Sequence, residues 1–462
     1  MDLPECPGCR TLLARNAELE ARVLALEGQV RDLLDQRKPP PPPRAVTPQP
    51  PAPAKTPTGR KPGGQPGHEP HLKRLVPPER VNHVIPLVPE HCDACHAALP
   101  AAAGPADLPP TRHQVAELPA VAAVITEYQG HARTCPDCGA LTRAAIPAEL
   151  YAHTVGERLS ATLAYLAGCH GVSKRGLEEI AAAVFDAPVA LGTIANLEQQ
   201  TSAALAPAHQ AARAAVADAP VKHVDETGWK QAGKKRWLWV AATSTVVAFL
   251  IHPRRNLDAL TALLGKLSGI LCSDRWRTYD DWPLDLRQVC WAHLKRNWEK
   301  QVERGGRAKE LGDRWLAGHD RVFAVWHLFR GGGCTRDELA ERMHPLIDDL
   351  GGLLNEGARV RDRKLARFCR RILDVYPAAW LFVFEPGVEP TNNHAERVQR
   401  RAVLWRRKSF GCHSAAGCRF VERILTVVQT LRLQERSVLD FLTASIRAHR
   451  AGLPSPRLVL EG

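Results

Sequence analysis

The chain has 462 residues, enough for two or three domains, and 45% of them are hydrophobic, so a sizeable core can form. The net charge of +13 and a pI of about 9.3 favour an anionic partner such as nucleic acid. No apolar run approaches the ~18 residues needed to span a bilayer and no secretory signal is read, so a membrane role is excluded and a cytoplasmic location is expected.

The first region, 1–36, opens with a Cys6-Pro-Gly-Cys9 pair that has no obvious partner pair. A parallel coiled coil is predicted over 11–36. Leu12, Leu19, Leu26 and Leu33 fall at the d positions of its heptads, and Asn16, Val23 and Val30 at a. Valine at a with leucine at d favours two strands, so a homodimer or higher oligomer is expected. Residues 37–71 read as a linker: a proline run at 39–43 precedes Gly-Gly-Gln-Pro-Gly-His at 63–68, and such a stretch buries little.

Thirteen cysteines, six of them in Cys-x-x-Cys pairs, favour metal binding over disulfides in a chain of this kind. Region 72–150 carries Cys92-x-x-Cys95 and Cys135-x-x-Cys138, two knuckles that can supply four thiolates to a tetrahedral, structural Zn2+. Region 151–218 is alanine-rich and helical. Ser173 is placed to cap a helix running to Val184, and a turn at 185–189 leads to a longer helix from Leu191. This arrangement is either a helix-turn-helix DNA-binding unit or an ordinary helical hairpin.

From Val221 the pattern changes to strands. Strands are expected at 221–225, 236–243, 245–252, 269–274 and 288–291, with a helix at 257–267. That order, three strands, a helix, a strand, a helix and a strand, is the order of a ribonuclease-H-like core. In that fold the first and fourth strands are neighbours, so Asp225 and Asp274 would meet. Long helices at 308–329, 336–355 and 361–375 read as a helical insertion spanning about 299–389. The domain is taken to close at 433, and 434–462 is a helical tail. The fold class is therefore multidomain α/β: a ribonuclease-H-like catalytic core, 219–433, with a helical insertion, preceded by a coiled coil, a small zinc-binding domain and a helical domain.

Three acids carry the chemistry: Asp225 in His-Val-Asp-Glu-Thr-Gly-Trp, Asp274 in Cys-Ser-Asp-Arg-Trp, and Glu396 in Asn-Asn-His-Ala-Glu-Arg. Carboxylates on strand ends and on a helix are what a two-metal phosphoryl-transfer site requires, because oxygen ligands hold Mg2+. Each has a competitor. Glu226 stands beside Asp225, Asp280 and Asp281 follow Asp274, and Glu396 fits the third helical position of a capping box begun by Asn393. Arg397, Arg400, Arg401, Arg406, Arg407 and Lys408 continue the helix of Glu396, and Lys295 and Arg296 follow His293. These are candidate DNA-backbone ligands. Cys290 and His293, in Cys-Trp-Ala-His, fix a strand end or bind metal.

Taken together, these signatures resemble transposases of the insertion-sequence sixty-six group. The resemblance extends from the leucine-rich helix and the Gly-Gly-Gln-Pro-Gly-His box to Asn392-Asn-His-Ala-Glu396-Arg with Arg407-Lys408. It implies a catalytic triad of Asp225, Asp274 and Glu396 using two Mg2+ (or Mn2+) ions. It also implies cleavage and strand transfer at terminal inverted repeats, with DNA as substrate and target and small accessory proteins as partners. The chain departs from the group's pattern at Gly228, where proline is usual, and at Ser409, where asparagine is usual.

Overall fold

The computed structural model describes residues 15, 18–23, 25–26, 75–102, 104 and 108–460. Cys6 and Cys9, the linker 37–71, and the heptad positions Leu12, Asn16, Val30 and Leu33 lie outside the described residues. The chain divides into two compact units, Met1–Glu117 and Leu118–Gly462, so the boundary falls inside the segment read as one zinc module.

In the first unit, residues 18–23 are helical, and Leu19, Val23 and Leu26 are 54%, 53% and 54% exposed. An unpartnered d/a/d seam of this kind is what a second helix would cover. A tight knuckle closes around Cys92 and Cys95: the Cys92 amide donates to Ala97 O at 2.9 Å, and the His96 amide to Cys92 O at 2.8 Å.

The second unit opens with a hairpin, β1 (Ala132–Thr134) and β2 (Leu141–Arg143), that frames the other knuckle. Its hydrogen bonds repeat the first: Cys135 N to Ala140 O at 2.9 Å and Gly139 N to Cys135 O at 3.0 Å. A helical layer follows: α1 (Ala148–Tyr151), α2 (Glu157–His170), α3 (Lys174–Phe185), α4 (Leu191–Ala204) and α5 (Ala206–Asp218). Ser173 caps α3 as expected, its side chain accepting from Gly176 N at 3.0 Å. Helix α4 turns Ile194, Leu197 and Thr201 into the core.

The sheet follows. Strands β3 (Val221–Gln231), β4 (Lys234–Ala242) and β5 (Val247–His252) form an antiparallel meander. Helix α6 (Leu257–Leu264) crosses to β6 (Ile270–Ser273), which pairs parallel with β3, and β7 (Arg287–Val289) pairs parallel with β6. The order is β5-β4-β3-β6-β7, so the first and fourth strands of the sheet are neighbours, as the sequence leads one to expect. Strand β3 is longer than its sequence suggests. The Ala232-Gly233 turn, with φ of 48° and 74°, is a two-residue hairpin that carries the pairing out to Gln231. Gly411 packs on the tip; with φ 107°, any Cβ there would meet Lys230 O at 2.3 Å.

Beyond β7 lie α7 (Trp291–Val302), α8 (Gly306–Arg330), α9 (Arg336–Ala358), α10 (Arg363–Leu373) and α11 (Leu381–Phe384). They enclose a second core built on Trp291, Trp298, Trp315 and Trp380. The chain then returns to the first core through α12 (Asn393–Ser409), α13 (Ala415–Leu433) and α14 (Val438–Arg450).

Helix α13 seals the sheet edge. Along β5, alternate amides of Val247, Phe249 and Ile251 donate to Thr430 Oγ1 (3.0 Å), Thr426 Oγ1 (2.9 Å) and Glu422 Oε1 (2.7 Å). The match is geometric: two strand residues advance ~6.8 Å and four helical residues ~6 Å, so one helix face satisfies the exposed ladder. Glu422 is buried, and loss of solvation pushes its carboxyl up from 4.5 to about 7.

A carboxyl with a folded pKa above its unfolded value stabilises the fold while protonated, and that contribution is lost as pH rises from about 4.5 to 7. Glu422→Gln keeps the acceptor and removes the charge. Its stability in urea at pH 8 should exceed the wild type's by up to ~3 kcal/mol, and the gap should close near pH 5. Equal stabilities at pH 8 would contradict a buried charge at this position.

Candidate active site

The three parallel strands β3, β6 and β7 run in the same direction, so their carboxyl ends share one edge. Ladder pairing between β3 and β6 ends at His223–Cys272. Carried two steps further, that register would set Asp225 level with Asp274. Neighbouring strands lie ~4.8 Å apart, so these two acids flank the point where the strands part. The burial of Asp225, followed by the charges of Glu226, Asp274 and Glu396, pushes its carboxyl up to about 8.

Two of the competitors, Glu226 and Asp280, are engaged elsewhere. Glu226 is buried, Oε1 accepting from Arg255 Nε at 2.6 Å and Oε2 from the Tyr279 hydroxyl. Arg255 is itself held between aromatic faces, 4.9 Å from the Trp237 ring and 3.9 Å from the Trp276 ring. Asp280 pairs with the buried Arg287 at 3.1 Å. Asp274 Oδ1 accepts from the Trp276 amide at 2.8 Å, a turn that fixes the carboxylate at the strand end.

Glu396 arrives from far along the chain. The capping box expected with Asn393 does not form: Asn392 is the N-cap of α12, and no side chain caps that end. The Glu396 carboxylate points instead to α7, with Arg296 Nη2 at 3.1 Å and His293 Nδ1 at 3.6 Å. What places α12 is Asn392, which is almost fully buried. Its Nδ2 donates to Val224 O at 2.7 Å, and its Oδ1 accepts from His223 Nδ1 at 3.1 Å. Its amide donates to Cys290 Sγ at 3.1 Å. Cys290 therefore ties the start of α7 to the start of α12. His394 adds a further tie, Nε2 donating to Thr243 O at 2.7 Å. Asn392 lies inside a recognisable motif, but nothing local in the sequence announces its partners, 168 residues away.

The cationic residues divide into two sets. Arg397, Arg400, Arg401 and Arg407 are exposed along α12. Arg406 bonds to Thr227 Oγ1 at 3.0 Å and to Gly228 O, and Lys408 bonds to His170 O at 3.1 Å. Arg406 occupies the position over Gly228, where its Nη1 would lie 3.8 Å from an added Cβ. Lys295 lies 3.8 Å from Asp320.

Among the described residues, no three His, Cys, Asp or Glu side chains come together closely enough to hold a metal ion. The donor set of Asp225, Asp274 and Glu396 is nonetheless all oxygen, the chemistry that suits Mg2+ or Mn2+, and the mutual repulsion felt at Asp225 is what a cation would relieve. In the knuckles, Cys92 and Cys135 have thiols lowered by hydrogen bonds, first from the backbone of Cys95 and of Cys138 respectively. No helix among the described residues is long and apolar enough to cross a membrane.

Comparison with known proteins places this geometry in context. Residues 153–419 match the model of the Transposase IS66 family, and the chain belongs to that family. The match takes in the helical layer, the sheet, the insertion and α12. The chain is also similar to an uncharacterized protein, y4qI, of Sinorhizobium fredii (strain NBRC 101917 / NGR234), at 24% identity over 250 residues. That alignment covers 48% of this chain and 46% of the relative, so the chain spans about half the length of the curated relative it matches.

The tether of α12 is testable directly. Asn392→Asp retains the shape but cannot donate to Val224 O. Urea denaturation should show a loss of ~1–3 kcal/mol, the cost of an unsatisfied buried acceptor beside an added charge. An unchanged midpoint would mean that α12 is held by other contacts.

Proposed function

Taking membership of the IS66 transposase family as the premise, we propose that the chain is an Asp-Asp-Glu DNA transposase. It cleaves the terminal inverted repeats of an insertion sequence and transfers the freed strand to target DNA. The observation that carries this reading is the parallel pairing of β3 with β6, whose carboxyl ends lead to Asp225 and Asp274, together with Asn392, which ties the start of the Glu396 helix to β3 beside Asp225. The strand order and the position of the 291–384 helices support a ribonuclease-H-like core with a helical insertion.

In this reading Asp225, Asp274 and Glu396 hold two Mg2+ (or Mn2+) ions. Such ions, when bound, lower the pKa of a water and neutralise charge on the scissile phosphate. The chain's own residues do the positioning. Tyr279 and Arg255 withdraw Glu226 from the ligand set, leaving Asp225 as the available carboxylate of the Asp-Glu pair. Arg296 orients Glu396 from α7. The exposed Arg397, Arg400, Arg401 and Arg407 take the DNA backbone, while Arg406 and Lys408 brace the fold. After cleavage the free 3′-hydroxyl attacks target DNA, so one phosphodiester bond breaks as another forms and no external energy source is needed.

Two structural proposals accompany the catalytic one. The four thiolates of Cys92, Cys95, Cys135 and Cys138 serve a structural Zn2+, supported by the identical turn geometry of both knuckles. The exposed Leu19, Val23 and Leu26 form the seam of a homodimer that pairs two element ends, with accessory proteins assisting. Elemental analysis should find zinc in the purified chain and little in the Cys135→Ser variant; equal contents would remove the zinc proposal.

The decisive variant for catalysis is Asp225→Asn. Mg2+-dependent strand cleavage at the element ends should fall below detection while binding to those ends survives. Joint loss of binding and cleavage would assign Asp225 an architectural role. A pre-cleaved end with a free 3′-hydroxyl should join target DNA with the wild type, and its failure to join would reduce the enzyme to a nuclease.

A further inference from the structure

A cleft of about 990 Å³ opens beside Asp274, and α10 forms one of its walls. That helix is sharply two-faced. Leu365, Ala366, Cys369 and Ile372 are buried against the insertion core, and Asp362 fixes its start, accepting from Lys364 N at 2.9 Å and Leu365 N at 3.1 Å. Lys364, Arg367 and Arg371 follow at i, i+3 and i+7, so they lie in one row, and all three line the cleft. On the facing wall Arg275 is wedged in place, Nη2 donating to Asn297 Oδ1 at 2.5 Å and its guanidinium 5.8 Å from the Phe368 ring. Its Nε is buried without a hydrogen-bond partner.

Several cations of the insertion, Arg304, Arg307, Arg314, Arg321 and Arg330, each reach a carboxylate, and Arg336 and Arg370 reach backbone carbonyls. Among the described residues, Lys364, Arg367 and Arg371 reach no carboxylate. Three aligned cations repel one another, an arrangement that costs stability unless an anion joins them. Asp280 and Asp374 also line the cleft, without an ion pair to the row, and so does the proposed catalytic acid Asp274.

We propose that α10 is a DNA-backbone binding wall: Lys364, Arg367 and Arg371 receive successive phosphates of the strand whose reacting phosphate lies at Asp274. From i to i+7 the row spans ~10 Å, over which one strand of duplex DNA presents about three phosphates, one for each cation. The contact is to phosphate rather than to base, and therefore independent of sequence. The inference rests on the function proposed above and assigns the insertion a task in it.

The test measures binding of the full chain to labelled DNA duplexes across a salt series, using the element's end and an unrelated mixed sequence. Each phosphate contact adds ~0.9 to the slope of log affinity against log salt. The variant Lys364→Gln/Arg367→Gln/Arg371→Gln should lower that slope by about three on both duplexes. The charge-matched variant Arg307→Gln/Arg314→Gln/Arg321→Gln should leave it near the wild-type value. A wild-type slope in the first variant, an equal drop in the control, or a drop confined to the element's end would overturn the wall. Wild-type protein that binds neither duplex would instead overturn the transposase reading, so the two failures are separable.

Discussion

One amide side chain fixes where the candidate site can be. Asn392 donates to the backbone of β3 at Val224, next to Asp225, and accepts from His223, while its own amide reaches Cys290 at the end of β7. Three parts of the chain separated by the whole helical insertion are thereby joined at the carboxyl edge of the sheet. The strands alone bring Asp225 and Asp274 together, because parallel pairing of β3 with β6 fixes their register. Glu396 has no such guarantee. It reaches the same edge because α12 begins at a residue whose side chain and amide are spent on the sheet and its border.

The electrostatics of the site follow from that convergence. Burying several carboxylates together is unfavourable, and the cost appears as the upward displacement of Asp225. The surroundings offset it in two ways. Arg255, held between Trp237 and Trp276, neutralises Glu226, and Arg296 neutralises Glu396. Asp225 and Asp274 have no cationic partner of that kind within bonding distance among the described residues. A site in which the neighbouring acids are matched and two are not has room for a cation, and the unmatched cations of α10 beside it have room for a phosphate.

Much of this was legible in the sequence, for local reasons. Short β-branched and aromatic runs ending in acids gave β3 and β6, Ser173 announced the start of α3, and the amphipathic period gave α8 and α9 nearly residue for residue. The misses share a cause as well. Strand β3 runs past Asp225 because Ala232 adopts a positive φ, and alanine gives no turn signal there. The competing capping box between Asn393 and Glu396 does not form: Asn392 is the N-cap, and its side chain serves the sheet. The choice of Asp225 over Glu226 depends on Tyr279 and Arg255, and the sealing of β5 depends on Thr426, Thr430 and Glu422, all tertiary partners. Arg406 and Lys408 read as part of a DNA-facing row, and both also bond backbone carbonyls, Lys408 while remaining exposed. Charge pattern reports which residues are cationic; only the fold reports which of them are already satisfied.

The central claim is that Asp225, Asp274 and Glu396 form one divalent-cation site. A crystal of the full chain grown with Mn2+ and DNA, measured for anomalous scattering at the manganese edge, tests it most directly. The account predicts manganese peaks bridged by Asp225 and Asp274, with Glu396 released from Arg296 to complete the ligand set. Manganese bound elsewhere, with Glu396 still paired to Arg296, would contradict it.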